Sequence, residues 1–308
     1  MRQSPHLRNT ASALVFVLIW TSAFPAAKFG LQDSPPLLLL AVRFLIAGAL
    51  ILLWVRSKGK RLALKWRDFG VLAVLGLLNH ALYLGLSWTG MTQLSSGLST
   101  IIISANPIVV AVLSSILLRD ALTLRKVLGL LLGFAGVVYI ARNRLGSSLD
   151  TDMGLFLVGS ALITLAFGTV LYKRWPVQLD LSTATGYQIV FSGLALLPVA
   201  LWLESPAQVT LSWTLFAALA WLVLVVSIAG YQIWFGMLER GTASAASVWM
   251  FLCPPLGLVA GALLLGEPLN LLDFGGIVPV VAGIALVTWA PIKKGGLEHP
   301  PNSKPKVE

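Results

Sequence analysis

Residues 107–136 read PIVVAVLSSILLRDALTLRKVLGLLLGFAG, and residues 254–283 read PPLGLVAGALLLGEPLNLLDFGGIVPVVAG. In each copy a proline lies within an apolar run, an acidic residue ends that run, and glycines recur in the next one. The aligned pairs keep their order: Pro107 with Pro254, Asp120 with Glu267, Gly129 with Gly276, and Gly136 with Gly283. One match among apolar segments would carry no weight, but the ordered set indicates an internal repeat.

The composition of the chain requires a lipid environment around this repeat. Of the 308 residues, 57% are hydrophobic and 11% are charged, whereas soluble domains carry roughly 25% charged residues. The mean hydropathy is +0.86. Apolar runs of the length that spans a bilayer lie at about 11–30, 35–55, 68–88, 94–117, 124–142, 153–173, 183–203, 212–236, 243–264 and 271–290. The sequence therefore predicts an all-α integral membrane protein with ten transmembrane helices.

The repeat divides the ten predicted spans into two sets of five. The repeated stretch falls in spans four and five and again in spans nine and ten. Because five is an odd number, the second set enters the membrane from the opposite side. This arrangement of two inverted five-helix repeats suits alternating access around a site near the midplane. The predicted units are a cytoplasmic N-terminus (1–10), a first repeat (11–145), a second repeat (150–290) and a cytoplasmic tail (291–308).

The basic residues indicate how the chain is oriented. Of the 22 Lys and Arg residues, 18 fall on one side of the predicted membrane and three on the other, with Arg43 inside a span. Cytoplasmic connections are enriched in Lys and Arg, so both termini are predicted to be cytoplasmic. The net charge of +10 arises from short clusters between apolar runs, which argues against nucleic acid as a partner.

Several motifs along the chain, in their order, resemble a known family. They are Trp20-Thr21-Ser22-Ala23-Phe24, Arg43-Phe44, Ser99 to Pro107 followed by Asp120, and Ser247 to Pro254 followed by Glu267-Pro268. This order resembles the drug/metabolite transporter superfamily of the EamA type, over roughly residues 11–290, and most of all its bacterial exporters of aromatic amino acids. Asp120 departs from the pattern, because members usually have Glu there.

The resemblance implies a secondary transporter of the bacterial inner (plasma) membrane. Its expected substrates are small amphiphilic solutes, aromatic and other amino acids, exported by alternating access. No HExxH, GxSxG or Walker-type motif is present, so the sequence does not predict an enzyme. The one cysteine, Cys253, lies in an apolar run, and no cofactor or metal site is predicted. The expected partners are the solute and the lipid bilayer.

Polar side chains near the middle of the predicted spans are the candidates for solute binding. His80 and Asn79 fall near the centre of span three, with Tyr83 one turn further, and Tyr231 and Gln232 occupy the equivalent part of span eight. Such groups are costly in hydrocarbon unless they face the bundle or a wet cavity. An alternative is that His80 bonds a carbonyl of a neighbouring helix. The predicted binding set is His80, Asn79, Tyr83, Trp20, Ser99, Asn106, Tyr187, Tyr231, Gln232 and Trp249.

Five further residues are predicted to act either in gating or in the structure: Arg43, Pro107, Pro254, Asp120 and Glu267. Pro107 and Pro254 interrupt spans four and nine at matched positions, which is a pointer to a binding site or a kink that improves packing. For Arg43, one hypothesis is that it binds a solute carboxylate, and the alternative is that it bonds the carbonyls of broken helices. Asp120 and Glu267 end spans four and nine, as gates or as interfacial charges. All twelve acids lie at span ends or in connections, so the hypothesis is facilitated efflux without a coupling carboxylate.

A flippase for a lipid-linked substrate is the alternative function. A flippase needs polar side chains along a groove that opens sideways to the bilayer. A solute carrier instead encloses His80, Asn79, Tyr83 and Tyr231 on one axis. The position of these four side chains therefore distinguishes the two hypotheses.

Overall fold

A computed structural model of the chain describes residues 5–60, 62–142, 150–265 and 271–288. Within these ranges the regular structure is entirely helical. Among the described residues, nine helical segments are long and apolar enough to cross a membrane. In chain order these spans 1 to 9 are Asn9–Gly30, Pro36–Ser57, Trp66–Met91, Leu98–Leu117, Leu124–Ala141, Asp152–Arg174, Leu181–Leu203, Trp213–Arg240 and Ala243–Leu264. They match the first nine predicted spans.

The tenth predicted span, 271–290, corresponds to a shorter apolar helix. The apolar stretch runs over Phe274–Thr288, with a 3₁₀ turn at Leu271–Gly276 and an α-helix at Ile277–Thr288. The predicted span continues to residue 290, which lies outside the described residues. The all-helical membrane fold is thus confirmed, while the count of ten spans stays a prediction.

Five of the spans are single, uninterrupted α-helices. Their bounds are Pro5–Gly30, Pro36–Ser57, Leu124–Ala141, Asp152–Arg174 and Leu181–Leu203. Side-chain caps start several of them: Thr151 accepts a hydrogen bond from the Gly154 N–H, and Asp180 accepts one from the Thr183 N–H. These caps satisfy amide groups that the first helical turn leaves without partners.

Spans 3 and 8 each contain a π-helical segment between two α-helices. Span 3 consists of Trp66–Gly76, the π segment Leu77–Leu82 and Tyr83–Met91. Span 8 has the same organisation, with helices Trp213–Trp221 and Tyr231–Arg240 flanking a π segment at Leu222–Gly230. A π segment widens the helix locally, is rare, and is frequent at functional sites.

Spans 4 and 9 are broken immediately before their prolines, as the sequence predicts. Span 4 consists of Ser96–Ser104 and Asn106–Leu117, and span 9 consists of Ala243–Ser247, a 3₁₀ segment Val248–Leu252, and Cys253–Leu265. Pro107 and Pro254 each occupy the second residue of the following helix. A proline is tolerated there because the missing N–H would have no helical partner in the first turn.

Glycine pairs bring span 5 and the helix Ile277–Thr288 into backbone contact. A Cβ added at Gly283 would lie 2.5 Å from the Gly129 carbonyl oxygen, and a Cβ at Gly276 would lie 2.6 Å from the Gly136 carbonyl oxygen. No side chain fits at these positions. Small residues at such contacts are typical of packing between membrane helices.

Candidate solute-binding site

The two π segments place polar side chains side by side in the centre of the bundle. Asn79 and His80 lie within the π segment of span 3, and Tyr231 follows the π segment of span 8. The ring centroids of His80 and Tyr231 are 4.3 Å apart, at an interplanar angle of 68°. Residues distant in sequence, from both halves of the chain, thus form one central cluster. Asn106 of span 4 adjoins it through its hydrogen bond to Met250, which lines a cavity together with these residues, and is counted with the cluster.

Apart from Asn106 Nδ2, which donates a hydrogen bond of 3.4 Å to Sδ of Met250, the polar side-chain atoms of the central cluster are buried without protein partners among the described residues. Asn79 is 3% exposed, Tyr231 is 1% exposed, and His80 and Asn106 are fully buried. Among the described residues, no hydrogen-bond partner reaches Nδ2 or Oδ1 of Asn79, Nδ1 or Nε2 of His80, Oδ1 of Asn106, or the Tyr231 hydroxyl. Each buried polar group left without a bond costs about 1–3 kcal/mol. Native structures contain few such groups, so a concentration of them indicates a place where an ordered water or a ligand supplies the missing hydrogen bonds.

Aromatic rings enclose these polar atoms. Phe16 of span 1 contacts Trp20 at 5.3 Å and Trp234 at 5.1 Å between centroids, and the Trp20 ring meets Tyr231 edge-on at 5.6 Å. The cavity they leave is about 10 Å³ in volume. Its walls are formed by Phe16, Trp20, Asn79, His80, Leu165, Tyr231, Trp234, Phe235 and Met250. A cavity of this size holds about one water molecule, so a solute enters only when the spans move apart.

Arg43 of span 2 lies beside the central cluster. Its side chain is 1% exposed, and its Nε donates a hydrogen bond of 2.8 Å to Oγ of Ser227, in the π segment of span 8. The guanidinium carbon is 5.2 Å from the centroid of the Phe44 ring, and that ring lies 5.8 Å from the His80 ring between centroids. Arg43 therefore ties span 2 to span 8 and places a positive charge near the unpartnered polar atoms.

The remaining residues of the predicted binding set divide into two groups. Tyr83 is buried at the start of the helix that follows the π segment of span 3. Ser99 is buried, and its hydroxyl has no hydrogen-bond partner among the described residues. Trp249 is half-buried and packs against the core. None of these three residues is part of the cavity wall.

Tyr187 and Gln232 lie away from the central cluster. The Tyr187 hydroxyl donates a hydrogen bond of 2.6 Å to the carbonyl of Leu62, and its ring stacks on Phe191 at 5.8 Å. Gln232 Oε1 accepts a bond of 3.4 Å from the Ser182 hydroxyl. A helix turns 100° per residue, so Gln232 points to a different side of span 8 than its neighbour Tyr231. Gln232 thus contacts Ser182 of span 7, and Tyr187, which is on span 7 itself, contacts the connection at Leu62.

Contacts between connections close one face of the bundle. We call this the basic face; it carries the connections near residues 58–65, 118–123, 175–180 and 241–242. Lys60 Nζ forms an ion pair of 2.9 Å with Asp180, and Asp120 interacts electrostatically with Lys173. Burial alone would raise the pKa of Asp180, but hydrogen bonds from Lys60 and Thr183 outweigh it and lower the pKa below its ordinary value. Glu267, the predicted counterpart of Asp120, lies outside the described residues.

The opposite face is closed by a different set of contacts. The Glu204 carboxylate accepts hydrogen bonds from the N–H groups of Leu37 at 2.9 Å and Leu38 at 2.7 Å, in the first turn of span 2. Asp33 accepts a bond of 2.5 Å from the Ser212 hydroxyl. Each contact joins connections that the predicted topology places on the same side of the membrane. Polar contacts therefore join the spans at both faces of the bundle.

Five residues of the cavity wall were absent from the predicted binding set: Phe16, Leu165, Trp234, Phe235 and Met250. Two of them carry a signal that is readable in the sequence. Phe16 lies four residues before Trp20, and Phe235 lies four residues after Tyr231, a spacing that puts two side chains on one face of a helix. Leu165 and Met250 lie on spans 6 and 9, and nothing in their local sequence distinguishes them from other apolar residues.

A bundle of membrane-spanning helices around a buried polar, aromatic-walled centre is an arrangement that suits the passage of a solute through the bundle. The sequence pattern of the EamA-like transporter family matches this chain over residues 10–142 and again over residues 152–289. The protein therefore belongs to the EamA-like transporter family, as the sequence motifs indicate.

Individual relatives agree with this assignment. A protein of Bacillus subtilis (strain 168), described as "Uncharacterized transporter YvbV", is 31% identical over 287 residues, which cover 93% of both chains. A protein of Salmonella typhimurium (strain LT2), described as "Probable amino-acid metabolite efflux pump", is 26% identical over 283 residues, covering 88% of this chain and 92% of that one. One solved structure, described as "Crystal structure of protein", has the same fold, with a TM-score of 0.77 at 18% identity and coverage of 92% of this chain and 96% of that chain.

Proposed function

We propose that the protein is a secondary transporter that exports small amphiphilic solutes, aromatic and other amino acids in particular, across the inner membrane. The observation that carries this proposal is the set of unpartnered polar atoms of Asn79, His80 and Tyr231 in a cavity walled by aromatic rings, with Asn106 beside it. A solute with a polar head and a flat apolar body satisfies both parts of such a site.

The chemistry of the central cluster favours an amino acid as the solute. Amide and phenol oxygens of Asn79, Asn106 and Tyr231 accept hydrogen bonds from an ammonium group. The positive charge of Arg43 attracts a carboxylate. The rings of Phe16 and Trp20 provide offset and edge contacts for an aromatic side chain. The name of the Salmonella typhimurium relative, a probable amino-acid metabolite efflux pump, points to the same solute class.

We further propose that the two matched segments are inverted five-helix repeats. The family pattern occurs twice, and the glycine contacts have the exchange symmetry that a two-fold axis requires. Gly129 touches Gly283, and Gly136 touches Gly276, while the repeat aligns Gly129 with Gly276 and Gly136 with Gly283. Each contact is therefore the repeat-equivalent of the other, as at any two-fold interface. The helices run antiparallel, which fits an axis in the membrane plane.

Spans 2 and 7 obey the same exchange. A Cβ added at Gly48 would lie 2.5 Å from Cγ2 of Val190, and a Cβ added at Gly193 would lie 2.9 Å from the backbone nitrogen of Leu45. A shift of the sequence that aligns Gly48 with Gly193 also aligns Leu45 with Val190. Two pairs of helices in different parts of the bundle thus support one axis, and with it the tenth span that the axis requires.

Alternating access is the mechanism that this symmetry and the contacts at the two faces favour. The contacts at the basic face and those at the opposite face join the two repeats, and breaking one set while keeping the other opens the centre to one side. The excess of Lys and Arg on the basic face favours a cytoplasmic position for it and for both termini. All acids lie at span ends or in connections, which favours facilitated efflux. Enclosure of the cluster argues against the flippase alternative.

The proposal is tested by counterflow in proteoliposomes loaded with unlabelled phenylalanine. Uptake of labelled phenylalanine, tryptophan or tyrosine above that of empty liposomes is the expected result. Asn79→Leu should reduce it strongly, while Gln232→Leu, a matched change in a span-8 residue outside the cluster, should not. Failure of every aromatic amino acid to exchange would exclude the proposed solute, and failure of a broader amino acid panel would exclude the solute class.

A further inference from the structure

A second cavity lies at the basic face, between the ends of spans 6 and 8. Its volume is about 190 Å³, much larger than that of the central cavity. Its wall includes Leu75 of span 3, Tyr172 and Lys173 at the end of span 6, Trp175, and Glu239 at the end of span 8. The contacts described above assign no role to this space, which combines a cation, a carboxylate and aromatic rings.

Each of the two charged side chains of this cavity is hydrogen-bonded to the end of the other's span. Lys173 Nζ donates hydrogen bonds to the carbonyls of Leu238 at 2.6 Å, in the last turn of span 8, and Gly241 at 2.5 Å, just after that span. An ammonium has three N–H donors, and these bonds use two of them. Glu239 accepts a bond of 3.2 Å from the Tyr172 hydroxyl, which leaves its second oxygen for another donor.

One pair of rings separates this cavity from the central one. Tyr172, in the wall of the larger cavity, stacks on Phe235 with centroids 4.6 Å apart and an interplanar angle of 26°. Phe235 in turn is part of the central cavity wall, with its centroid 6.0 Å from that of His80. Along span 3, Leu75 and Asn79 are separated by four residues, or about 6 Å of helix rise. The two cavities are therefore adjacent, with the Tyr172–Phe235 pair between them.

We propose that the larger cavity is a vestibule site for a zwitterionic α-amino acid with an apolar side chain. Lys173 binds the carboxylate, Glu239 binds the ammonium, and Trp175 and Leu75 contact the side chain. Displacement of the Tyr172–Phe235 pair then admits the solute to the central cluster. This assignment rests on the proposed export function, because it names the position from which the solute enters the bundle.

The test is a binding measurement that reports on the vestibule alone. In a Cys253→Ala background, Val177→Cys places a thiol in the wall of the vestibule, and a charged methanethiosulfonate reagent modifies it. Phenylalanine should slow the modification, whereas N-acetylphenylalanine, which lacks the ammonium, should protect weakly. Adding Glu239→Gln should raise the phenylalanine concentration needed for protection about tenfold, the loss of one charge-assisted hydrogen bond. It should leave the weak effect of the acetylated analogue unchanged.

Asp152→Asn is the matched control, because it neutralises an exposed acid at the other end of span 6. It should leave protection as it was. Equal loss with Asp152→Asn and Glu239→Gln, or protection unaffected by Glu239→Gln, would overturn the vestibule site. So would stronger protection by glycerophosphoethanolamine than by phenylalanine, because that headgroup carries the same two charges and would identify a lipid as the ligand.

The outcomes separate this inference from the function on which it rests. Counterflow of phenylalanine with no protection of the thiol at position 177 would support the export function and refute the vestibule site. Protection that depends on Glu239, in a protein without counterflow of any amino acid, would support the binding site and refute the export function.

Discussion

Gly168 of span 6 faces the carboxamide of Asn79 in the π segment of span 3 so closely that no side chain fits between them. A Cβ added at Gly168 would lie 2.3 Å from Oδ1 and 2.7 Å from Cγ of Asn79. The backbone of the second half thus supports a polar group of the first half at the centre of the site. Because the Asn79 side chain makes no hydrogen bond within the described residues, the close contact with Gly168 limits where its carboxamide can lie.

Gly168→Ala should therefore impair transport without unfolding the protein. The added methyl group displaces the Asn79 side chain and removes a hydrogen bond to the solute, so the apparent affinity in counterflow should fall about tenfold. Gly159→Ala is the control, because it makes the same change in the same helix, where nothing lies within 4 Å of the added atom. Equal activity of the two variants would show that Asn79 does not contact the solute.

Tyr231→Phe should separate stability from function. The hydroxyl that it removes is buried without a partner among the described residues, and removing such a group relieves a cost of about 1–3 kcal/mol. The thermal unfolding midpoint in detergent should stay the same or rise, while counterflow falls. A lower midpoint would instead mean that the hydroxyl is bonded in the folded protein and serves the fold rather than the solute.

Much of the fold could be predicted from the sequence because membranes impose a simple rule. Backbone groups in lipid must be satisfied within a helix, so the length and apolarity of each run define a span. Pro107 and Pro254 lack a backbone N–H, and the helix breaks that precede them follow from that chemistry. The contacts of Gly129 and Gly136 were also predictable, because glycine in a membrane helix permits a close approach.

The candidate site was predictable only in part, for geometric reasons. A π segment changes which side of the helix each later residue points to. No residue type within Leu77–Leu82 or Leu222–Gly230 predicts that change from the sequence. The polarity of Asn79, His80 and Tyr231 was sufficient to identify them. Tyr187 is also a tyrosine within a predicted span, but its hydroxyl bonds the carbonyl of Leu62 instead of facing the central cluster. The vestibule residues Lys173 and Glu239 sit at span ends, where charges are ordinary, so only their shared cavity distinguishes them.

Gly283→Ala should destabilise the protein by about 1–3 kcal/mol, the usual cost of forcing extra atoms into a packed interior. The added Cβ would meet the backbone of Gly129 and Gly133, at 2.5 Å and 2.6 Å, and backbone cannot rotate away as a side chain can. Gly136→Ala should cost a similar amount if the two-fold axis is real. Gly70→Ala, where nothing lies within 4 Å, is the control. Thermal unfolding in detergent measures all three, and a large difference between Gly283→Ala and Gly136→Ala would contradict the symmetry.

The ion pair between Lys60 and Asp180 should give a small, pH-dependent part of the stability. Hydrogen bonds from Lys60 and Thr183 outweigh the effect of burial and lower the pKa of Asp180. A lowered carboxyl pKa stabilises the folded state above the ordinary value of about 3.9, and this stabilisation is lost as the pH falls through the lowered pKa. The Lys60 side chain is 53% exposed, which limits the contribution to about 1 kcal/mol or less.

Asp180→Asn isolates this charge, because asparagine still offers a side-chain oxygen to cap the helix that begins at Leu181 and is as good a cap as aspartate. The variant should unfold at a slightly lower temperature than the wild type at pH 7. The gap should narrow below about pH 4, because protonation then removes the same charge from the wild-type carboxylate. Thermal unfolding from pH 7 to pH 3 measures this difference. A gap that stays constant over the whole range would mean that Asp180 acts through its hydrogen bonds alone and that its charge does not hold the basic face closed.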